Sequence, residues 1–469
     1  MASDTSVAME ASSRRVCERL RSAGHKAMWA GGCVRDRLLG RPAKDIDIVT
    51  DARPQQVISL FAATKEVGRA FGVVLVRQDQ YWFEVATFRR DRDYADGRRP
   101  TSVEYADEAA DAARRDFTIN GMFYDPVEDR VVDLVGGRRD LRERRIRAIG
   151  DPEQRFREDH LRMLRAVRFA STLGFEIEPA TMEAIRRMAA HLGRIARERI
   201  AQELRRILLE SPRPGQGVRL LRDSGLLSVV LPEVAALEGL RQRSARHPEG
   251  NVFEHTARML DAMDMRSEAL AWAILFHDVG KAATRADETD AEGAPVHFRG
   301  HAEVGARIAE AAVRRLRLPN RLVEVVVACV RDHMRYRQIP TMRPARLRRW
   351  MAEPAFETGL ELHRLDLRVR GAPCPAAERV AEMRRQIAEE GAIPPPKLRG
   401  PDLLGLGIPP GPEVGRWLRR VHDHQIENPG LGRDALLEWV RGARRTGTGS
   451  PPPAAGRVDR RRGAGRMRQ

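Results

Sequence analysis

Lys44-Asp45-Ile46-Asp47-Ile48-Val49, placed shortly after Gly31-Gly32-Cys33-Val34-Arg35-Asp36, restricts the fold of this 469-residue chain more than any other stretch. Side chains alternate between the faces of a β-strand. The spacing therefore predicts a strand over Ile46–Val49, with Ile46 and Ile48 turned to a core and Asp45 and Asp47 projecting together. Two carboxylates in one small volume repel unless cations lie between them, and Mg²⁺ favours a few carboxylate oxygens supplemented by water and phosphate oxygens. The glycine pair is expected to lead into a short helix, Val34 to Leu39, leaving backbone N–H groups open to an anion, with Arg35 on the first turn. A phosphate cradle beside two metal-holding carboxylates suits nucleotidyl transfer, where one cation activates the attacking hydroxyl and another steadies the departing pyrophosphate.

Three further blocks follow in order. They are Arg114-Arg115-Asp116-Phe117-Thr118-Ile119-Asn120, then Asp133-Leu134-Val135-Gly136-Gly137 with Asp140-Leu141, then Arg157-Glu158-Asp159-His160-Leu161-Arg162-Met163-Leu164-Arg165-Ala166-Val167-Arg168-Phe169. With the first pair, they resemble the polymerase-β-like nucleotidyltransferases and, within them, the bacterial class II tRNA CCA-adding and poly(A) polymerase family, strongly over residues 25–240. The resemblance implies an α+β fold: a nucleotidyltransferase head with a mixed sheet and helices, followed by an all-α neck and body. It implies that Asp45 and Asp47 are catalytic and hold Mg²⁺, and that Gly31, Gly32 and Arg35 meet the nucleotide. Arg115 and Asp116 match residues that bind the ribose, a site where a carboxylate held by an arginine can accept the 2′-hydroxyl. Asn120, four residues on, would share a helical face with Asp116.

Glu158, Asp159 and Arg162 are three and four residues apart, so on one helix they would cluster. In the resembling enzymes the aspartate accepts from an exocyclic amine of the incoming base and the arginine donates to ring acceptors. Cytosine and adenine carry that amine where uracil and guanine carry an oxygen, so CTP and ATP would be selected without a nucleic-acid template. Arg165 and Arg168 continue the stripe toward triphosphate, tRNA backbone or solvent. Phe83-Glu84-Val85 has the form in which the superfamily places a third carboxylate; Glu84 shares a face with Trp82 and Ala86, and sequence leaves open whether that is the metal face. Thr87 to Val103 resembles the mobile loop kept by CCA-adding and A-adding members and missing from CC-only ones. Gly121 stands where the family has alanine, and His160 where a proline or small residue is common.

A second constellation lies downstream. His277-Asp278-Val279-Gly280-Lys281 follows the apolar run Ala271–Phe276, with His255 upstream and Asp366 downstream. It resembles the HD phosphohydrolase superfamily, in which His255, His277, Asp278 and Asp366 would bind a divalent metal; mixed imidazole and carboxylate ligation suits several metals, and the identity stays open. Lys281 would hold a phosphate, and His301 and His333 a second metal or substrate.

Composition agrees with these readings. No apolar run approaches the roughly 20 residues of a membrane helix, and Met1-Ala2-Ser3-Asp4 opens no secretory signal. Four scattered cysteines lack paired spacing, and a reduced, cytoplasmic protein is expected. The net charge of +17 favours a polyanionic partner. Only five of the 83 basic residues are lysines, however, and Arg441 to Gln469 alone carries nine arginines against one acid, about half the excess. Strands are expected at Ile46–Val49, Val73–Arg77 and Trp82–Phe88, and helices dominate after Pro152, notably through Leu161, Leu164, Val167 and Ala170 and over Ile195–Leu209. The expected organisation is a head (1–150), a neck and body selecting the base and binding tRNA (151–240), an HD domain (241–370), a linker and helical region (371–440) and a disordered basic tail (441–469). The leading expectation is addition of C, C and A from CTP and ATP to a tRNA 3′ end. An A-adding enzyme or poly(A) polymerase is the alternative, and a phosphohydrolase acting on 2′,3′-cyclic or 2′-phosphate ends is the reading from another class. No protein partner is inferable.

Overall fold

The computed structural model describes residues 2–66, 72–94, 100–240, 251–285, 298–390, 393 and 395–445. After an opening helix, Ala2–Ser22, the head strands run in the order β1 (Ala27–Ala30), β2 (Asp47–Thr50), β3 (Thr64–Glu66), β4 (Val73–Gln78), β5 (Tyr81–Thr87), β6 (Arg89–Tyr94), β7 (Pro100–Tyr105), β8 (Phe123–Asp125) and β9 (Arg130–Val132). Seven of them form a mixed sheet in the order β3-β4-β5-β2-β1-β8-β9. The β2–β5 pair is parallel and the others are antiparallel. Met28, Ala30, Val49, Phe88, Ala112 and Phe123 pack into a core that fixes the sheet at β1, β2 and β8. The expected strands are present. β1 and β8 join them without a signal in the sequence pattern, because every residue in them is buried and a strand buried on both faces shows no alternation.

Thr87 to Val103, expected as a loop, is largely a hairpin: β6 pairs with β7 antiparallel, Arg89 opposite Tyr105. Residues 95–99, at the heart of the expected mobile loop, lie outside the described residues.

Beyond the head the described chain is helical apart from the two-residue pairing of Arg145–Ile146 with Glu176–Ile177. Leu161, Leu164, Val167 and Ala170 are all buried along the helix Leu161–Leu173, and the second neck helix runs over Arg197–Glu210. In the next region the helix Glu268–Phe276 is buried from Leu270 to its end, so its apolar run delivers His277-Asp278 into the interior.

The chain folds into two compact units. One holds Met1–Met334 with Thr358–Pro373, and the other Arg335–Glu357 with Cys374–Gln469. The second has its own core, in which Leu403, Trp417, Val421, Leu436 and Val440 join the helices Pro412–Glu427 and Arg433–Arg445. Residues 446–469, most of the expected tail, lie outside the described residues, as do 391, 392 and 394 around the proline-rich linker. No described helix is long and apolar enough to cross a membrane.

Candidate active site and metal centre

Asp45 and Asp47 are exposed while Ile46 and Ile48 are buried, the alternation expected from the sequence. Because Ile48 lies opposite Val85 in the β2–β5 ladder and both face the core, Asp47 and Glu84 emerge side by side on the other face. Desolvation first, then the charges of Asp45 and Glu84, push the Asp47 carboxyl up to about 6, with Arg115 opposing. Crowded acids of this kind fit a divalent cation, since they carry negative charge that nearby protein cations leave uncompensated.

Gly31 caps the helix Gly32–Leu38 at φ 79°. A β-carbon there would stand 3.3 Å from Nη1 of Arg115, so both backbone conformation and space call for glycine. From the same turn a polar chain crosses the site. Arg35 Nη1 donates to Asn120 Oδ1 at 2.8 Å, Asn120 Nδ2 donates to Asp116 Oδ1 at 3.1 Å, and Arg165 grips Asp116 Oδ2 through Nε and Nη2 at 2.9 and 2.6 Å. Burial alone would raise the Asp116 carboxyl; Arg165 and then Asn120 outweigh it and hold it at about 2. Asp116 and Asn120 meet as expected, but not across an α-helical face: Phe117 is extended and Thr118–Asn120 is a single 3₁₀ turn. That turn rests on Gly137, where a β-carbon would strike the Thr118 carbonyl at 2.3 Å, and Asp133 holds the neighbouring loop by accepting from the Gly137 and Arg138 amides. The Asp133–Gly137 block therefore serves as a brace. At Gly121 a β-carbon would lie 2.8 Å from Val135 Cγ2 and 2.9 Å from Ile149 Cδ1, which accounts for glycine at this position.

The Glu158–Arg162 motif corrects the expectation of one helix. One helix ends at Glu158, Asp159 is extended (φ −144°, ψ 105°), and the next helix begins at Leu161. Glu158 and Arg162 do pair, at 2.6 Å, but Asp159 pairs with Arg199 at 3.1 Å and accepts the Leu161 amide. At the break the Asp159 side chain, on an extended backbone, turns the chain by accepting the Leu161 amide at 3.0 Å, and His160 stands at the N-terminal cap of the following helix. His160 fills the corner, its Nδ1 2.8 Å from the Phe156 carbonyl oxygen and its ring stacked on His191. Arg162 also donates to the Arg114 carbonyl. Arg168 is not a solvent-facing residue: it is buried, pairs with Glu203 at 2.5 Å and lies over the Phe169 ring.

These elements enclose a cavity of about 510 Å³. Of the residues expected at the nucleotide, only Glu84 and Glu158 stand outside its lining. The lining also includes Arg114, Phe169 and Arg206, which the sequence does not single out. Arg114 and Phe169 lie inside quoted motifs; Arg206 sits on the helix Arg197–Glu210, where nothing marks it among so many arginines.

The second constellation assembles as two sets of three ligands. His255, His277 and Asp366 offer ligand atoms that all lie within 4.8 Å of one another, and so do Asp278, His301 and His333. His277, His301 and His333 each direct Nδ1 to a backbone carbonyl of Ile274, Phe298 or Val330 at 2.7–2.8 Å, turning Nε2 inward. Burial pushes His301 down and His333 down to about 3, which keeps them neutral. Nε2 of His277 lies 3.1 Å from Asp278 Oδ2, so the two sets of ligands adjoin. Lys281 donates to Asp278 at 2.6 Å, and Arg370 pairs with Asp366. Gly280 permits the assembly: a β-carbon would meet the His301 carbonyl oxygen at 2.0 Å.

Comparison with known proteins follows the same divisions. Residues 27–147 match the poly A polymerase head domain, 174–237 the probable RNA and SrmB-binding site of polymerase A, and 247–371 the HD domain. The CCA-adding enzyme of Geobacillus stearothermophilus is 33% identical over 449 residues, covering 92% of this chain and 96% of the relative. That of Streptococcus suis is 41% identical over 221 residues, 47% of this chain and 54% of the relative. The crystal structure of the Bacillus stearothermophilus CCA-adding enzyme in complex with CTP aligns with a TM-score of 0.69 at 28% identity, over 93% of this chain and 97% of that one. The Thermotoga maritima CCA-adding enzyme complexed with tRNA shares the fold, with a TM-score of 0.59 at 18% identity over 92% and 94% of the two chains.

Proposed function

The chain belongs to the family of CCA-adding enzymes, and from that premise we propose that the cavity between its first 150 residues and residues 151–240 performs the family's nucleotidyl transfer on a tRNA 3′ end. The observation that carries this reading is the convergence on one cavity of Gly31, Gly32, Asp45, Asp47, Asp116, Asp159 and Arg162. The Gly31-Gly32 turn with Arg35 and Arg115 receives the triphosphate of CTP or ATP. Asp116, held by Arg165, accepts the ribose 2′-hydroxyl, and Asn120 keeps its carboxylate in place. Asp159, steadied by Arg199, accepts from the exocyclic amine of cytosine or adenine, while Arg162, anchored by Glu158, donates to the ring. Arg168 holds the wall through Glu203. The 3′-hydroxyl oxygen of the tRNA attacks the α-phosphorus; a P–O bond forms, the bridge to the β-phosphate breaks, and pyrophosphate leaves. Asp45, Asp47 and the neighbouring Glu84 would hold divalent cations, with Mg²⁺ as the proposed ion, which would acidify the attacking hydroxyl, whose proton passes to solvent, and neutralise the leaving pyrophosphate.

A second reading concerns residues 241–370 and is favoured by the six converging ligands of the His-Asp centre. We propose that a divalent metal binds there and that the centre hydrolyses phosphate ends of RNA, including 2′,3′-cyclic ones, with Lys281 toward the phosphate. The protein is proposed to work in the cytoplasm.

Labelled CTP and ATP, offered separately and together to tRNA transcripts ending at the discriminator base, at C and at CC, test the main reading. Ordered growth to CCA followed by arrest is expected. Addition only to the CC-ended transcript makes this an A-adding enzyme, long homopolymers make it a poly(A) polymerase, and no addition removes the reading.

A further inference from the structure

Neighbouring residues on a helix point in different directions, yet Arg114 and Arg115 both line the nucleotide cavity. The helix Glu108–Ala113 ends just before them, and one carboxylate from its buried face, Asp111, gathers both guanidinia. Asp111 Oδ1 accepts from Arg114 Nε and Nη2 at 2.9 and 2.6 Å, and Oδ2 accepts from Arg115 Nε and Nη2 at 3.1 and 2.8 Å. Asp111 is fully buried and also receives the Arg89 amide at 3.4 Å. Burial alone would raise its carboxyl; Arg115 and Arg114 outweigh that and lower it.

One carboxylate bound to both guanidinia fixes their geometry, and for Arg115 the direction of its remaining edge is defined. Its Nε–Nη2 edge is taken by Asp111, its guanidinium lies 5.2 Å over the Phe123 ring, and its remaining Nη1 is the atom beside Gly31. A guanidinium held on one edge and one face presents its last N–H groups rigidly, so little rotamer entropy is lost when an anion arrives.

We infer that Asp111 is a positioning residue for nucleotide binding: by holding the inner edge of Arg115 it aims Nη1 at the phosphates of the CTP or ATP seated on the Gly31-Gly32 turn. The inference rests on reading that turn as the phosphate site. Asp111 touches no substrate, and nothing in its own spacing marks it as part of the site.

Steady-state kinetics of D111N, R115A and the double variant, with CTP and with ATP, test this. R115A is expected to raise KM for both nucleotides. D111N is expected to raise both KM values about tenfold, the scale of one charge-assisted hydrogen bond, with kcat changed less than threefold. In the R115A background D111N is expected to raise KM less than it does alone, what remains passing through Arg114, which the same carboxylate holds. Multiplicative effects in the double variant, or a D111N protein with unchanged KM, overturn the inference. R115A leaving KM unchanged instead overturns the reading of Arg115 as a nucleotide contact. Should D111N melt below the assay temperature, D111E keeps the charge but displaces the guanidinium by one methylene; it must raise KM in the same pattern, and normal KM values for D111E again overturn the inference.

Discussion

In the head, Asp45, Asp47 and Glu84 stand exposed on one face of a sheet; in the His-Asp region, two sets of three mostly buried ligands each draw together within 4.8 Å. Among the described residues, Asp45, Asp47 and Glu84 do not form such a set. A carboxylate platform left open can share its cations with the phosphates of a substrate and release them with the product. Imidazoles locked by their Nδ1 hydrogen bonds pay their ordering cost during folding and suit a resident ion. On the proposed reading, the two centres would hold a divalent metal in two ways: one completed by the substrate's phosphates, the other assembled by the fold.

The strongest way to break this contrast is to remove one centre at a time. Asp47→Ala is expected to lower CTP and ATP incorporation by about four orders of magnitude or more, since both cation roles depend on it. His277→Ala should leave incorporation within about twofold while abolishing any release of phosphate from 2′,3′-cyclic RNA ends; residual incorporation by the Asp47 variant near the wild-type rate would remove the head from catalysis. Metal removal comes next. After desalting, elemental analysis should find a transition metal bound by the wild-type protein and missing from a His277→Ala, Asp278→Ala double variant, while Mg²⁺ washes out of both. Chelation should then lower the unfolding midpoint of the wild type alone by several degrees, because a ligand bound only to the folded state stabilises it by mass action.

Asp159→Asn sharpens the contrast within the head. An amide can donate as well as accept, so discrimination for CTP over UTP should fall by about tenfold to a hundredfold, the range of one base-edge contact, measured as a ratio of kcat/KM values. The smallest expected effects come from a pair of glycines. Gly280→Ala drives a methyl into the His301 backbone and should cost about 2–3 kcal/mol, whereas Gly121→Ala meets two side chains that can shift and should cost about 1 kcal/mol. Thermal melting of the two variants reads the order directly, and equal midpoints would show the buried centre to be no more rigid than the open one.

The sequence makes the head legible where chemistry and periodicity coincide. Asp45 and Asp47 alternate with Ile46 and Ile48, and the structure keeps that alternation. The register that places Glu84 beside Asp47 depends on how β2 and β5 pair, which no local pattern encodes. The break at Asp159 is hidden because Glu158 and Arg162 are spaced for a helix, and only the partner Arg199, 40 residues away, shows where the aspartate turns. Asp111 is hidden for a related reason: an acid three and four residues before two arginines reads as a surface ion pair until it is found at zero exposure. In the His-Asp region the adjacent pair and its apolar helix are visible in the sequence, but the grouping of His301 and His333 with Asp278 comes from packing.

His255 and Asp366 are 111 residues apart, and between His333 and Asp366 the chain leaves the first unit at Arg335 and re-enters it at Thr358. During synthesis, five of the six ligands therefore leave the ribosome before the chain makes that excursion, and the sixth follows only after the return. A fragment ending at Met334 would hold every histidine of the centre and still lack the carboxylate that completes one set. On the proposed reading, filling of the His255, His277 and Asp366 set would wait until synthesis passes residue 366 and the chain returns: long-range closure is the slow part of folding, and the last ligand of that set to be made is the one that closes it.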